Sequence, residues 1–175
     1  MNKGNYTWQQ TFRNLYDKAL VKYRNEHSNL NLFFTPREVK LLQEMGAKPI
    51  EMFDFAEDCS DLDADTALLI VAARRDYFRT MQKGTLTSKT IGEDKLPSKE
   101  AKLEGIPWLP RILAKASARL RGELPDDVMY CCAGDRKFLR THDVHPADFM
   151  RAVWAAKGND QKVLIYLKNG GQPKA

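Results

Sequence analysis

Three cysteines are an odd number and too few for a disulfide scaffold. The longest apolar run, 67–73, falls far short of the ~18 residues that a membrane-crossing helix needs. No apolar stretch follows the first methionine as a secretory signal requires, so a cytoplasmic chain with no membrane association is expected. Strand signals are also scarce. The segment 163–167 tolerates a β conformation, but no alternating run is bracketed by hairpin turns. Internal repeats and coiled-coil heptads are missing. So are a P-loop, a glycine-rich dinucleotide fingerprint, a nucleophile elbow and a His-Glu-x-x-His pair. The common enzyme classes therefore find no support in motifs, and no cofactor or metal is expected.

What is present is enough for a core. The 175 residues correspond to about one domain, and 43% of them are hydrophobic. The expectation is a single compact domain over 1–170 with a loose tail at 171–175. The net charge of +5 hides a strong asymmetry. Seven acids and no base occupy 51–65, whereas nine bases against four acids occupy 83–122. Such patches usually face each other or water.

Helical spacing runs through most of the chain. Trp8, Phe12, Leu15, Tyr16, Ala19 and Tyr23 share one face at steps of three and four. Thr35-Pro36-Arg37-Glu38 reads as a capping box with proline at the first helical position, and Gly46 stands where a left-handed cap belongs. Pro49 opens a third helix with Met52, Phe55, Ala56 and Cys59 inward. A fourth spans roughly 65–82. The polar stretch 83–106 has no apolar period and predicts a long surface loop with a short helical piece. A fifth helix leads from Pro107 and Pro110 to Gly122, with Ile112, Leu113, Ala116 and Leu120 buried. After a short helical turn at Asp135, Pro146 and Asn159 begin two more. The fold class is all-α, with about seven helices.

Several segments taken together resemble the bacterial proteins of domain of unknown function family 5069. They are Phe33-Phe34-Thr35 with Glu38, the runs 51–58 and 66–78, Gly105-Ile106-Pro107-Trp108-Leu109-Pro110-Arg111, 134–139 and His145-Pro146-Ala147-Asp148-Phe149. The likeness extends over most of the chain and is densest from Gly105 onward. It implies a small, mostly helical bacterial cytosolic protein and carries no catalytic residue or substrate.

Four groups of residues could carry chemistry. Glu51, Asp54 and Asp58 form an acidic helix face of the kind that holds Mg²⁺ in all-α nucleotide pyrophosphohydrolases. A second carboxylate pair is needed, and Asp65 and Asp76 are too far apart in sequence to provide it. Pairing with Arg74, Arg75 and Arg79, or simply facing water, is the favoured reading. Arg74, Arg75 and Tyr77 follow a buried segment and form the best ligand-pocket candidate, since arginine offers a planar bidentate fork to an anion. Cys131 and Cys132 precede Asp135, Arg136, His142 and His145. Their spacing fits no usual zinc site, so burial as small apolar residues is favoured. Finally, Arg111, Lys115 and Arg119 line one helix face with Trp108 upstream. That stripe could grip phosphates, although a solvated face, or one docked on the acidic helix, is favoured and nucleic acid is not an expected partner. The expected function is a non-catalytic module that binds a protein partner or a small anion. The alternatives are a small enzyme joining the Arg74/Arg75 region to the loop 131–136, and nucleic-acid binding through 111–121.

Overall fold

The computed structural model describes residues 5–25 and 33–172. Among them are eight α-helices and one ladder of two very short strands, so the chain is mostly helical. Backbone contacts gather it into two compact units, Met1–Leu86 and Thr87–Ala175.

The first unit holds α1 (Trp8–Arg24), α2 (Pro36–Glu44), α3 (Pro49–Glu57) and α4 (Ala64–Thr80), with α1 packed against the other three. Phe12, Leu15, Tyr16 and Ala19 of α1 are buried, as the spacing predicts, together with Leu42, Met52, Phe55, Ile70 and Val71. The capping box forms: Thr35 Oγ1 accepts from the Glu38 N–H, and the Glu38 carboxylate accepts from the Thr35 N–H at 2.8 Å. Burial alone would raise the Glu38 pKa, but Lys18 and Thr35 donate to its carboxylate and hold it below the ordinary value. Gly46 adopts φ +70°, with Phe78 Cβ only 3.0 Å from where its own Cβ would stand. A left-handed, crowded position of this kind suits glycine.

In the second unit a 3₁₀ turn, Glu93–Lys95, supplies the short helical piece expected within 83–106. The same stretch also holds an unpredicted antiparallel pair, β1 (Lys102–Leu103) and β2 (Ile106–Pro107). Glu104 and Gly105 join the strands with φ of 50° and 79°, the positive values that a tight hairpin turn demands. The helices are α5 (Leu109–Arg121), α6 (Ala133–Thr141), α7 (Pro146–Ala156) and α8 (Asp160–Lys168), and α7 packs on α5 and α8. Gly122 ends α5 in the left-handed region, and His145 caps α7 by accepting the Ala147 N–H on Nδ1 at 3.2 Å. Where the sequence predicts only a short turn, α6 is a full nine-residue helix. Its buried residues are Asp135, Arg136 and Leu139, so charged pairing, in place of an apolar stripe, holds it down. The expected loose tail is only partly described: the Gly171 and Gln172 N–H groups bond to Tyr166 and Asn169, and 173–175 lie outside the described residues.

Candidate functional sites

In the second unit, α5 and α6 bring a buried charge pair together. Lys115 lies two turns into α5 and Asp135 in the first turn of α6; they are 2% and 0% exposed and meet at 2.5 Å. The same Asp135 oxygen accepts the Cys131 N–H at 2.9 Å, and the other accepts the Trp108 indole N–H at 2.9 Å. Lys115 Nζ also donates to Cys132 Sγ at 3.3 Å, and Arg136 donates to the Cys131 carbonyl at 2.7 Å. The structure therefore unites five of the sequence-predicted site residues, Trp108, Cys131, Cys132, Asp135 and Arg136. It adds Lys115, the partner of Asp135 and Cys132.

With both carboxylate oxygens engaged and the ammonium committed, this cluster is a structural lock on the segment before α6. Two residues at its edge take left-handed backbones without being glycine, Trp108 at φ 68° and Cys131 at φ 71°. Such conformations persist only where the surroundings hold them. The indole lies against Gly134, where an added Cβ would stand 2.5 Å from Trp108 Cζ2. An alanine in a helix normally stabilises by up to ~1 kcal/mol over glycine. Here Gly134→Ala is expected to destabilise by about 1–3 kcal/mol through overpacking, which urea unfolding would measure. A gain in stability would contradict this packing.

Burial pushes the Cys131 thiol up to about 12, with Arg136 opposing and Asp135 reinforcing the shift. Of the two cysteines expected to be buried as small apolar residues, Cys131 is buried and Cys132 only half-buried. Tyr130, whose hydroxyl donates to the Pro146 carbonyl at 2.8 Å, is likewise pushed well above the ordinary phenol value by burial. An unfolded cysteine loses its proton near ~8.5, whereas the folded chain keeps Cys131 protonated. The stabilisation is complete below that pH and is lost as pH rises toward about 12. The urea midpoint should therefore fall between about pH 8 and about pH 11, and fall less in Cys131→Ala. Equal slopes for the two proteins would show that the thiol does not contribute.

The basic stripe requires a correction. The sequence predicts a stripe that is solvated or docked on the acidic helix. Instead Lys115 and Arg119 are each 2% exposed, and the counter-ion of Lys115 is Asp135. Arg111 donates to the Pro97 carbonyl at 2.8 Å and stands 4.0 Å from Glu93. A stripe turned inward offers no row of exposed cations to a phosphate backbone.

The predicted arginine pair lies in the first unit, and its two members differ. Arg74 is fully buried, donates to Gln82 at 2.6 Å and stacks 5.2 Å from the Phe78 ring centre. Tyr77 is half-buried. Arg75 and Arg79, one turn apart on α4, open instead on a cleft of about 440 Å³. The Arg75 guanidinium covers the Trp8 ring at 4.8 Å. Both arginines donate to one neutral atom, Asn5 Oδ1, at 3.1 and 2.7 Å. Among the described residues neither has a carboxylate within ion-pair distance, which corrects the expected pairing with the acidic helix. Burial, and then the Arg79 charge, pull the Arg75 pKa below the free value, with Asp76 opposing.

Three acids of the run 51–65, of which only Glu51 belongs to the acidic helix face, are engaged elsewhere. Glu51 accepts from the Lys48 N–H at 2.8 Å, Asp63 caps α4 through the Thr66 N–H at 2.7 Å, and Asp65 pairs with Arg13 at 2.6 Å. Among the described residues no three His, Cys, Asp or Glu side chains gather as a metal would need.

Each wall of the cleft comes from a different helix. Trp8 and Thr11 come from α1, Lys40, Leu41, Gln43 and Glu44 from α2, and Phe78 from α4 beside the two arginines. Lys40 and Arg79, absent from the sequence-predicted ligand candidates, belong here. The signal available for Arg79 was its i+4 spacing from Arg75.

The model of a domain of unknown function (DUF5069) matches residues 93–175. The quoted segments before Gly105 lie outside that match. No curated protein and no solved structure matches the chain. Among the described residues no helix is long and apolar enough to cross a membrane.

Proposed function

We propose, for a chain whose residues 93–175 belong to the DUF5069 family, that the first unit is a non-catalytic binding module for a small anion. The observation that carries this reading is the convergence of Arg75 and Arg79 on Asn5 Oδ1, a neutral acceptor, at the wall of an open cleft. Two like charges held side by side repel, and Arg75 is half-buried as well. An arriving anion would relieve both costs, and guanidinium forks match the oxygens of phosphate or carboxylate. Lys40 adds a third cation to the same lining. The cleft walls carry cations, amides, apolar side chains and one described carboxylate, Glu44.

A thermal shift series with inorganic phosphate, sulfate and citrate tests this. A ligand that binds only the folded chain raises its stability by RT ln(1 + [L]/Kd), about 2.7 kcal/mol at a hundred times Kd. Melting temperature should climb with anion concentration at constant ionic strength. A response no larger than that to chloride would contradict the proposal.

A further inference from the structure

We infer that the anion taken by the first unit's cleft is a phosphate monoester whose body is apolar and bears N–H donors, of the size of a nucleoside monophosphate. This inference rests on the anion-binding reading above and narrows it by three features of the cleft.

The first is size. A volume of about 440 Å³ falls within the ~300–1,000 Å³ of small-molecule sites and far exceeds what one inorganic phosphate fills. The second is the apolar wall. Leu41 and Leu86 line the cleft together with the cations, Leu41 half-buried and Leu86 46% exposed, while Met45 and Phe78 in the same lining are already buried. A bare anion would leave this surface wet, whereas a planar or apolar body would cover it. The third is Glu44. This carboxylate is half-buried on a cleft wall, one turn from Lys40, and has no hydrogen bond or ion pair among the described residues. A carboxylate accepts hydrogen bonds and repels a second anion, so it suits a ligand with donors away from its charged end. A purine base edge offers such donors, and the N1–H and amino group of guanine can meet both carboxylate oxygens.

The charge balance agrees. Among the described residues of the lining, Lys40, Arg75 and Arg79 stand against a single acid, Glu44. The excess of cations suits a phosphate monoester carrying about −1.5 to −2 at neutral pH. Arg75 and Arg79 would take the phosphate oxygens, and Trp8, already under the Arg75 guanidinium, would hold that fork flat.

Calorimetric titration of the intact chain with guanosine 5′-monophosphate, inorganic phosphate and guanosine decides the matter. The monophosphate should bind at least about tenfold more tightly than inorganic phosphate, and guanosine should bind more weakly than either. Glu44→Gln, an isosteric change at a half-buried cleft position outside the buried core, should shrink the preference for the monophosphate while inorganic phosphate binds as well or better. If inorganic phosphate and the monophosphate bind equally, the monoester inference is overturned and the anion reading stands. If neither binds, both fall. If guanosine binds as tightly as its monophosphate, the phosphate is not being recognised, and both fall again.

Discussion

Lys115→Met is expected to cost about 3–5 kcal/mol of stability, a large part of the ~5–15 kcal/mol that holds a typical domain folded. Asp135 is fully buried and Lys115 is its ion-pair partner at 2.5 Å. A methionine fills similar volume but leaves a buried carboxylate without its counter-charge, and this isolated charge is what destabilises. Pairing the change with Asp135→Asn should recover part of the loss. The asparagine removes the orphan charge, and its oxygen can still accept from Trp108 or Cys131, though one of those donors is then poorly served. Urea unfolding of the two single variants and the double variant forms a mutant cycle. A cost below about 1 kcal/mol for Lys115→Met would mean the pair behaves like a surface salt bridge, and the locked segment before α6 would need another explanation.

The double variant Arg75→Gln/Arg79→Gln is expected to weaken phosphate binding by roughly a hundredfold or more. Each hydrogen bond to a charged group is worth ~1.5–3 kcal/mol, and every 1.4 kcal/mol is a factor of ten. Stability should change little, because the variant removes two neighbouring like charges together with the Arg75–Trp8 stacking and the two hydrogen bonds to Asn5. Affinity should thus fall while stability holds. A drop in both would indicate that the arginines serve the fold, and unchanged affinity would place the anion elsewhere.

The parts of the fold that each segment encodes for itself were legible. Thr35 and Glu38 are three residues apart and form their box from local geometry alone, and Gly46 and Gly122 take the left-handed caps their positions require. The inward faces of α1 and α5 follow from spacing. What spacing cannot convey is which distant side chain answers a charge. Lys115 and Asp135 are twenty residues apart, and nothing in either helix marks them as partners until the chain folds. The same limit misdirected the acidic run. Clustered acids implied a counter-face for the arginines, whereas Glu51 and Asp63 satisfy backbone N–H groups at helix starts. The cleft was half visible, since Arg75 was singled out from sequence. Asn5, Lys40 and Glu44 join it only through the packing of α1, α2 and α4.

The most direct test of the anion-binding reading follows the arginine side-chain Nε–Hε signals of the intact protein by NMR while inorganic phosphate is added at fixed ionic strength. The signals of Arg75 and Arg79, assigned through Arg75→Lys and Arg79→Lys, should shift together along one saturable curve and exceed those of exposed arginines such as Arg37. Shifts that never saturate, or that spread evenly over the surface cations, would contradict it.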